Sequence, residues 1–234
     1  MQIPGDEKAD ARQRRRVAGQ DPVKRAQILD GAKRCFMSLG FEAASMNEIT
    51  AEAGVSKGTL YVYFEDKADL FKGLIDREKS AVMAAARQEL EKGTSTADAL
   101  HRFGVYVTTR MTSEEVIRAQ RMVLGVAERM PEIATRFFGD NSFSAHLTLK
   151  DFLEPKVEAG ELVIDDLDLA SRQFLELSMA SCFKRRLFGN LPKPLPAKEI
   201  DYVVGAAVDM FLGYYGSNHR LQAKDQSDTG ELHG

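Results

Sequence analysis

Residues 45–64 read SMNEITAEAGVSKGTLYVYF. Ser45 followed three residues later by Glu48 is a capping box, the start of a short helix in which Met46, Ile49 and Ala53 point inward. Gly54 breaks that helix. Val55 leads into Ser56, a second N-cap, and a second short helix follows to Phe64. Two short capped helices about a tight glycine turn make the helix-turn-helix pattern, whose second helix enters the major groove of DNA.

The second helix carries the matching chemistry. Ser56, Lys57, Thr59, Tyr61 and Tyr63 are all able to grip a phosphate, while Leu60 and Phe64, four residues apart, anchor the opposite side. Gly58 weakens a helix by about 1 kcal/mol relative to alanine, and it lets the helix start approach a DNA backbone with no Cβ in the way. Ser45 and Ser56, each beside the first amides of a helix, are expected to donate to phosphates with help from the helix dipole. Lys67 is expected on the same face. A single tyrosine here would read as a surface helix covering its core; the whole constellation reads as a nucleic-acid face.

Upstream, Asp21–Pro22 is a helix start, with Ile28, Leu29, Ala32, Cys35, Phe36 and Leu39 at helical spacing and Gly40 as a left-handed C-cap. Residues 1–20 are polar and basic without periodicity, which predicts a disordered arm. Residues 1–25 hold seven Lys/Arg against four Asp/Glu, including Arg12, Arg14, Arg15 and Arg16. That cluster is either a flexible arm adding sequence-independent DNA affinity through the minor groove or an idle tail. Net charge is −3, so position along the chain, not bulk charge, carries the nucleic-acid signal.

Composition favours helix, with Ala, Leu, Glu, Lys, Arg and Met prominent. No apolar run is long enough to span a bilayer, and the N-terminal stretch lacks the apolar core of a signal peptide. A cytoplasmic protein is expected, with no membrane role. Cys35 and Cys182 form no CxxC pair, and His101, His146, His219 and His233 lack metal-ligand spacing. No catalytic constellation or phosphate-cradling glycine loop is present, which argues against an enzyme, and no metal or cofactor is expected.

The stretch from Ile28 to Phe71 resembles the TetR family of bacterial transcriptional regulators. The resemblance rests on Phe36, the Gly40–Phe41 helix exit, Ser45, Ile49, Ala53–Gly54–Val55, Leu60–Tyr61, Tyr63–Phe64 and Lys67–Ala68–Asp69–Leu70–Phe71. Two positions depart from the family pattern: Thr50 and Gly31 stand where alanine is common, and both are expected to loosen helix packing slightly. The remainder resembles AefR-like C-terminal domains through RMVLGVAERMPEIATRFF and DLASRQFLELSMASCFKRRLFG. The resemblance implies an all-α chain with a three-helix DNA-binding head and a larger helical domain that dimerises and often holds a small inducer.

The expected layout is an arm at 1–20, a helix-turn-helix domain at 21–66, a helical ligand-binding and dimerisation domain at 67–217, and a polar disordered tail at 218–234. A long helix opens at Asp66–Lys67. Further helices run from Thr94–Ser95–Thr96 to about Met111 and from Ser113 towards Met130, followed by a long segment from Pro131 to Glu158. Asp168–Phe188 and Pro196–Gly216 are the last two helices. A four-helix dimer interface is expected from Phe174, Ser178, Ser181, Val204, Ala207, Val208, Phe211 and Tyr215, against the alternative that these residues are internal core. Phe103, Met111, Met122, Phe137, Phe138, His146, Phe174, Met179 and Cys182, with Phe143 nearby, are candidate effector contacts; at helical spacing such residues are more often plain core. The function implied is a homodimeric repressor of a palindromic double-stranded DNA operator, released by an apolar or amphipathic small molecule. The alternative is a DNA-binding regulator controlled by a protein partner or without any effector.

Overall fold

The computed structural model describes residues 21–138, 145–180, 182–191 and 193–217. The arginine cluster, Phe143, Ser181 and the 218–234 tail lie outside the described residues. Among the described residues eleven helices form: α1 Pro22–Ala43, α2 Met46–Ala53, α3 Lys57–Tyr63, α4 Lys67–Glu91, α5 Thr96–Thr112, α6 Glu114–Val126, α7 Pro131–Phe138, α8 Ala145–Glu158, α9 Leu167–Ser178, α10 Phe183–Leu187 and α11 Ala197–Tyr215. The chain is all-α, and among the described residues no helix is long and apolar enough to cross a membrane.

Helix α1 starts as its sequence dictates, with the Asp21 carboxylate accepting from the amides of Val23 and Lys24 and Pro22 in the first turn. Ile28, Leu29, Ala32, Cys35 and Phe36 are buried, but Leu39 is 47% exposed. Gly40 takes a positive φ of 81° with ψ 168°, extended rather than left-handed helical, so the expected C-cap does not form there. The chain kinks, runs on to Ala43, and Phe41 replaces Leu39 in the core. Rings of Phe36, Phe41 and Phe71 gather there, with centroids 4.9 to 5.7 Å apart.

Helix α2 has the full capping box, Glu48 N–H to Ser45 Oγ at 3.2 Å and Ser45 N–H to Glu48 Oε2 at 2.8 Å. It ends on Gly54 in the left-handed conformation (φ 63°, ψ 39°), which glycine adopts without strain. Gly31 does not loosen this packing: a Cβ there would stand 2.5 Å from Ala53 Cα. The glycine lets α1 and α2 touch backbone to backbone.

Packing divides the chain into two units, residues 1–78 with 121–139 and residues 79–120 with 140–234, instead of at residue 66. The first twelve residues of α4 and the second half of α6 with α7 therefore belong to the head. Leu70, Phe71, Leu74 and Ile75 of α4 share a buried cluster with Ile28, Ile49, Leu60, Phe64, Val123, Val126 and Ile133. Arg77 pairs with Asp30, Lys33 with Glu78, Arg136 with Asp76, and Arg129 with Glu42. Each joins residues more than 40 positions apart, beyond the reach of local pattern.

In the second unit, Phe103, Phe174 and Phe211 centre a core shared by α5, α8, α9 and α11. At Gly104 a Cβ would meet Val204 Cγ1 at 2.7 Å, so α5 and α11 pack closely there. The helix expected over Asp168–Phe188 is two helices, α9 and α10. Thr108 Oγ1 donates to the Ser178 carbonyl at 3.0 Å, giving a buried partner to a carbonyl at the end of α9. Arg186, also buried, donates to the carbonyls of Thr112 and Leu191.

Two stability measurements follow. Gly31→Ala forces α2 off α1 and should destabilise by about 1–3 kcal/mol, the usual overpacking cost, read as a lower urea midpoint with unchanged m-value. The Glu48 carboxyl sits below its ordinary range, chiefly through hydrogen bonds from Ser45. Its folded value is depressed, so its contribution is present above the unfolded carboxylate pKa and is lost as pH falls through the folded one. Glu48→Gln should lower the urea midpoint at neutral pH and converge with the parent on acidification.

Candidate nucleic-acid interface

Polar contacts from α1 and apolar burial seat α2 and α3. Gln27 Nε2 donates to the Ala53 carbonyl at 2.8 Å, and Arg34 Nη2 to the Glu52 carbonyl at 2.8 Å, fixing the end of α2 on α1. Leu60 and Phe64 are buried beneath α3, and the Arg25 guanidinium lies 5.2 Å from the Phe64 ring centroid. The opposite side of α3 is left outward. Ser56, Lys57, Gly58 and Tyr61 are exposed, with Thr59 and Tyr63 half-buried beside them.

These side chains are unequally committed. Ser56 Oγ accepts from the Thr59 amide at 3.0 Å and shares a 2.8 Å hydrogen bond with Thr59 Oγ1, so one of the two hydroxyl protons is already used. Ser45 Oγ holds the capping box as an acceptor. The Lys57 ammonium and the Tyr61 hydroxyl have no bond to the described residues, and Tyr61 is 47% exposed. A Cβ built on Gly58 would find nothing nearer than Ser56 Oγ at 3.8 Å. The fold itself does not require glycine at that position.

Lys67 departs from its expected place on this face. Its ammonium donates to the carbonyls of Phe41 at 2.7 Å, Ala44 at 2.9 Å and Glu42 at 3.1 Å, and lies 4.6 Å from the Phe41 ring centroid. Three donors meet three acceptors. The charge serves the end of α1.

The candidate effector residues do not form one group. Met122 and Phe137 pack on the head cluster and Phe138 is 49% exposed, whereas Phe103, Met111, Phe174, Met179 and Cys182 belong to the core of the second unit. His146 is buried with a ring nitrogen 3.1 Å from Arg172 Nη2 and 3.5 Å from Asp168 Oδ1, a satisfied core histidine. The hydrogen bond from Arg172 holds the Asp168 carboxyl below its ordinary range. Burial pushes the Cys182 thiol up, and its Sγ reaches the Met179 carbonyl. Gln120, which the sequence did not single out, is 3% exposed and its Oε1 has no hydrogen-bond partner. It stands three residues from Ile117 and from Val123 on the buried stripe of α6, a glutamine where the period calls for an apolar residue.

The residues expected at a dimer interface are instead internal. Phe174, Ser178, Val204, Ala207, Val208, Phe211 and Tyr215 are all buried within the single chain, and Ser181 lies outside the described residues. A different face of α11 is outward: Tyr202, Met210 and Tyr214 are 77%, 60% and 62% exposed, with Ala206 exposed between them. Cβ atoms on Gly205 and Gly213 would meet nothing within 4 Å. Among the described residues no group of three or more histidine, cysteine or carboxylate side chains could hold a metal.

Comparison with known proteins agrees with this geometry. Residues 28–74 match the model for bacterial regulatory proteins of the tetR family, and residues 98–217 match the C-terminal domain of AefR-like transcriptional repressors. The transcriptional repressor AcnR of Corynebacterium glutamicum is 40% identical over 74 residues, which are 31% of this chain and 39% of that protein. The transcriptional activator FasR of Mycolicibacterium smegmatis is 35% identical over 77 residues, 33% of this chain and 35% of that one. The chain thus spans little more than a third of the length of these curated relatives. A solved TetR-family regulator from Mesorhizobium loti has the same fold, with a TM-score of 0.76 and 22% identity over 84% of this chain and 98% of that one. The flavonoid-responsive regulator FrrA superposes with a TM-score of 0.65 and 27% identity, over 82% and 97%. Matched over its head and over its second unit, the chain belongs to the TetR family of bacterial transcriptional regulators, with an AefR-like C-terminal domain.

Proposed function

We propose that the protein is a homodimeric repressor that binds a palindromic operator through α3 and is released by an apolar or amphipathic small molecule. The observation that carries the DNA-binding part is the outward side of α3: an uncommitted lysine and tyrosine beside a glycine that the fold does not need. Lys57 and Tyr61 are the main phosphate contacts. Ser56 and Thr59 contribute the one proton they do not share, and Tyr63 and Ser45 border the contact.

The outward stripe of α11 supports dimerisation. Tyr202, Gly205, Ala206, Asp209, Met210, Gly213 and Tyr214 recur at three- and four-residue steps. The two glycines admit a second helix close to the backbone, and the aromatic and thioether groups would be withdrawn from water. A two-fold axis through this stripe pairs two heads, which must stand about 34–36 Å apart to enter successive major grooves.

Gln120 supports effector control. A buried amide oxygen with no partner costs about 1–3 kcal/mol, and a ligand hydroxyl or N–H relieves that cost. The buried Ile117, one turn earlier on α6, suits the apolar part of an amphipathic molecule. The flavonoid-responsive FrrA, an overall structural relative, makes hydroxylated aromatic compounds the first class to try. Release requires the effector to bind the non-DNA-binding arrangement more tightly, and linkage then requires operator to weaken effector binding by the same factor.

Lys57→Ala should reduce the magnitude of the slope of log affinity against log salt by about 1, and Tyr61→Phe should weaken operator binding with the fold intact. Parent-like binding by both variants at every salt concentration refutes the α3 assignment. Met210→Glu on the exposed stripe should leave the circular dichroism unchanged and yield a monomer in sedimentation; a persisting dimer places the interface elsewhere. Gln120→Leu should keep or raise the unfolding midpoint while abolishing the response to any flavonoid that releases the parent. Equal effector affinity with and without saturating operator would rule out allosteric release by that compound.

A further inference from the structure

The three carbonyls that surround Lys67 are the last acceptors of α1 and the step into α2. Helix ends leave such groups without intrahelical donors. Ala44, whose carbonyl takes one of the three bonds, directly precedes Ser45, the N-cap of α2. Lys67 is itself the first residue of α4. One ammonium therefore joins the exit of α1, the entry of α2 and the start of α4. One turn further along α4, Phe71 packs on Phe36 and Phe41, so the helices stay in contact by apolar burial even without the lysine.

We propose that Lys67 is a positioning residue for operator recognition: it sets the origin of α2 against α4, and through the Gly54 turn the aim of α3, without itself neutralising a phosphate. The inference deepens the DNA-binding role proposed for α3 and rests on it. Helix α2 has eight residues and is held at two places, its far end by the Ala53–Gly31 contact and its entry by this clamp. Releasing the entry lets α2 pivot about Ala53, and α3 moves with it. A binding site displaced by about 1 Å is present but too loose to read its target.

Arginine separates positioning from phosphate contact. A guanidinium binds phosphate at least as well as an ammonium, often through two parallel bonds. Its N–H groups, however, lie in one plane, and no single nitrogen can aim three of them at carbonyls converging on a point. Lys67→Arg therefore preserves a phosphate contact and breaks the clamp.

The test uses the full-length protein as parent, Lys67→Arg, Lys67→Met and, as a marker of phosphate contact, Lys57→Ala. Affinity is measured on operator and on a random duplex across a series of salt concentrations. Lys67→Arg and Lys67→Met should each lose about tenfold on operator, the order of loss for one wrong base pair, with random-duplex affinity and salt slope kept. If Lys67→Met fails to fold, Lys67→Arg decides alone. Operator binding by Lys67→Arg equal to the parent overturns the proposal. So does a Lys67→Met slope shallower by about 1 with an equal loss on the random duplex. Failure of this inference alone leaves Lys57→Ala impaired while Lys67→Arg is not; a parent without preference for operator over random DNA defeats the reading of α3 as well.

Discussion

The direct contact of α1 with α2 at Gly31 and Ala53 is the constraint on which the DNA-binding head depends. With no side chain on Gly31 to hold the backbones apart, α2 cannot shift along α1 without losing the fit. Gln27 and Arg34, both on α1, then satisfy carbonyls at the end of α2. The left-handed Gly54 turns the chain back, and Leu60 and Phe64 draw α3 onto the same core. Once its apolar side is spent, the remaining side of α3 faces outward by geometry alone. Polar groups there need no desolvation in the free protein and remain available to a charged partner.

The elements of the head were legible because each begins or ends on a local device. Asp21–Pro22, the Ser45–Glu48 box, Gly54 and Ser56 act within four residues, so a single sequence displays them. The misreadings share a different cause. Leu39 fits the helical period of α1, yet a kink at Gly40 gives its place to Phe41. Lys67 has the composition of a phosphate ligand, yet the carbonyls that bind it come from residues 23 to 26 positions earlier. The boundary at residue 66 was misplaced because Val123, Val126 and Ile133 join the head from a distant stretch. Long-range partners leave no periodic trace.

Helix α11 shows the limit of reading apolar stripes by hydrophobicity. It is apolar on two sides, and the residues that the sequence pattern assigned to a partner are the ones buried within the chain itself. Val204, Ala207, Val208 and Phe211 close the core of their own chain, while Tyr202, Met210 and Tyr214 lie opposite. Size and polarity make the distinction intelligible in retrospect. The inner side holds compact aliphatic groups, Phe211 and Tyr215, whose hydroxyl is satisfied by Gln173, packed at interior density; two tyrosines and a methionine, tolerant of water and adaptable in shape, take the outer. The glycines on that side have open space above them, which a core position would have filled.

The division of the chain at residues 78, 120 and 139 bears on biosynthesis. A nascent chain emerges from its N-terminus and domains tend to fold as units in that order. Here the first 78 residues hold both short helices and the turn between them, yet lack the three aliphatic side chains that complete their cluster. Those arrive only after some forty residues of the other unit have been made. Until then Leu70, Leu74 and Ile75 lack part of their cover, and the ion pairs of Arg129 and Arg136 have no cation. An early fragment therefore carries both short helices and the turn between them without the full core that holds them rigid, and the head is completed only after some forty residues of the other unit exist.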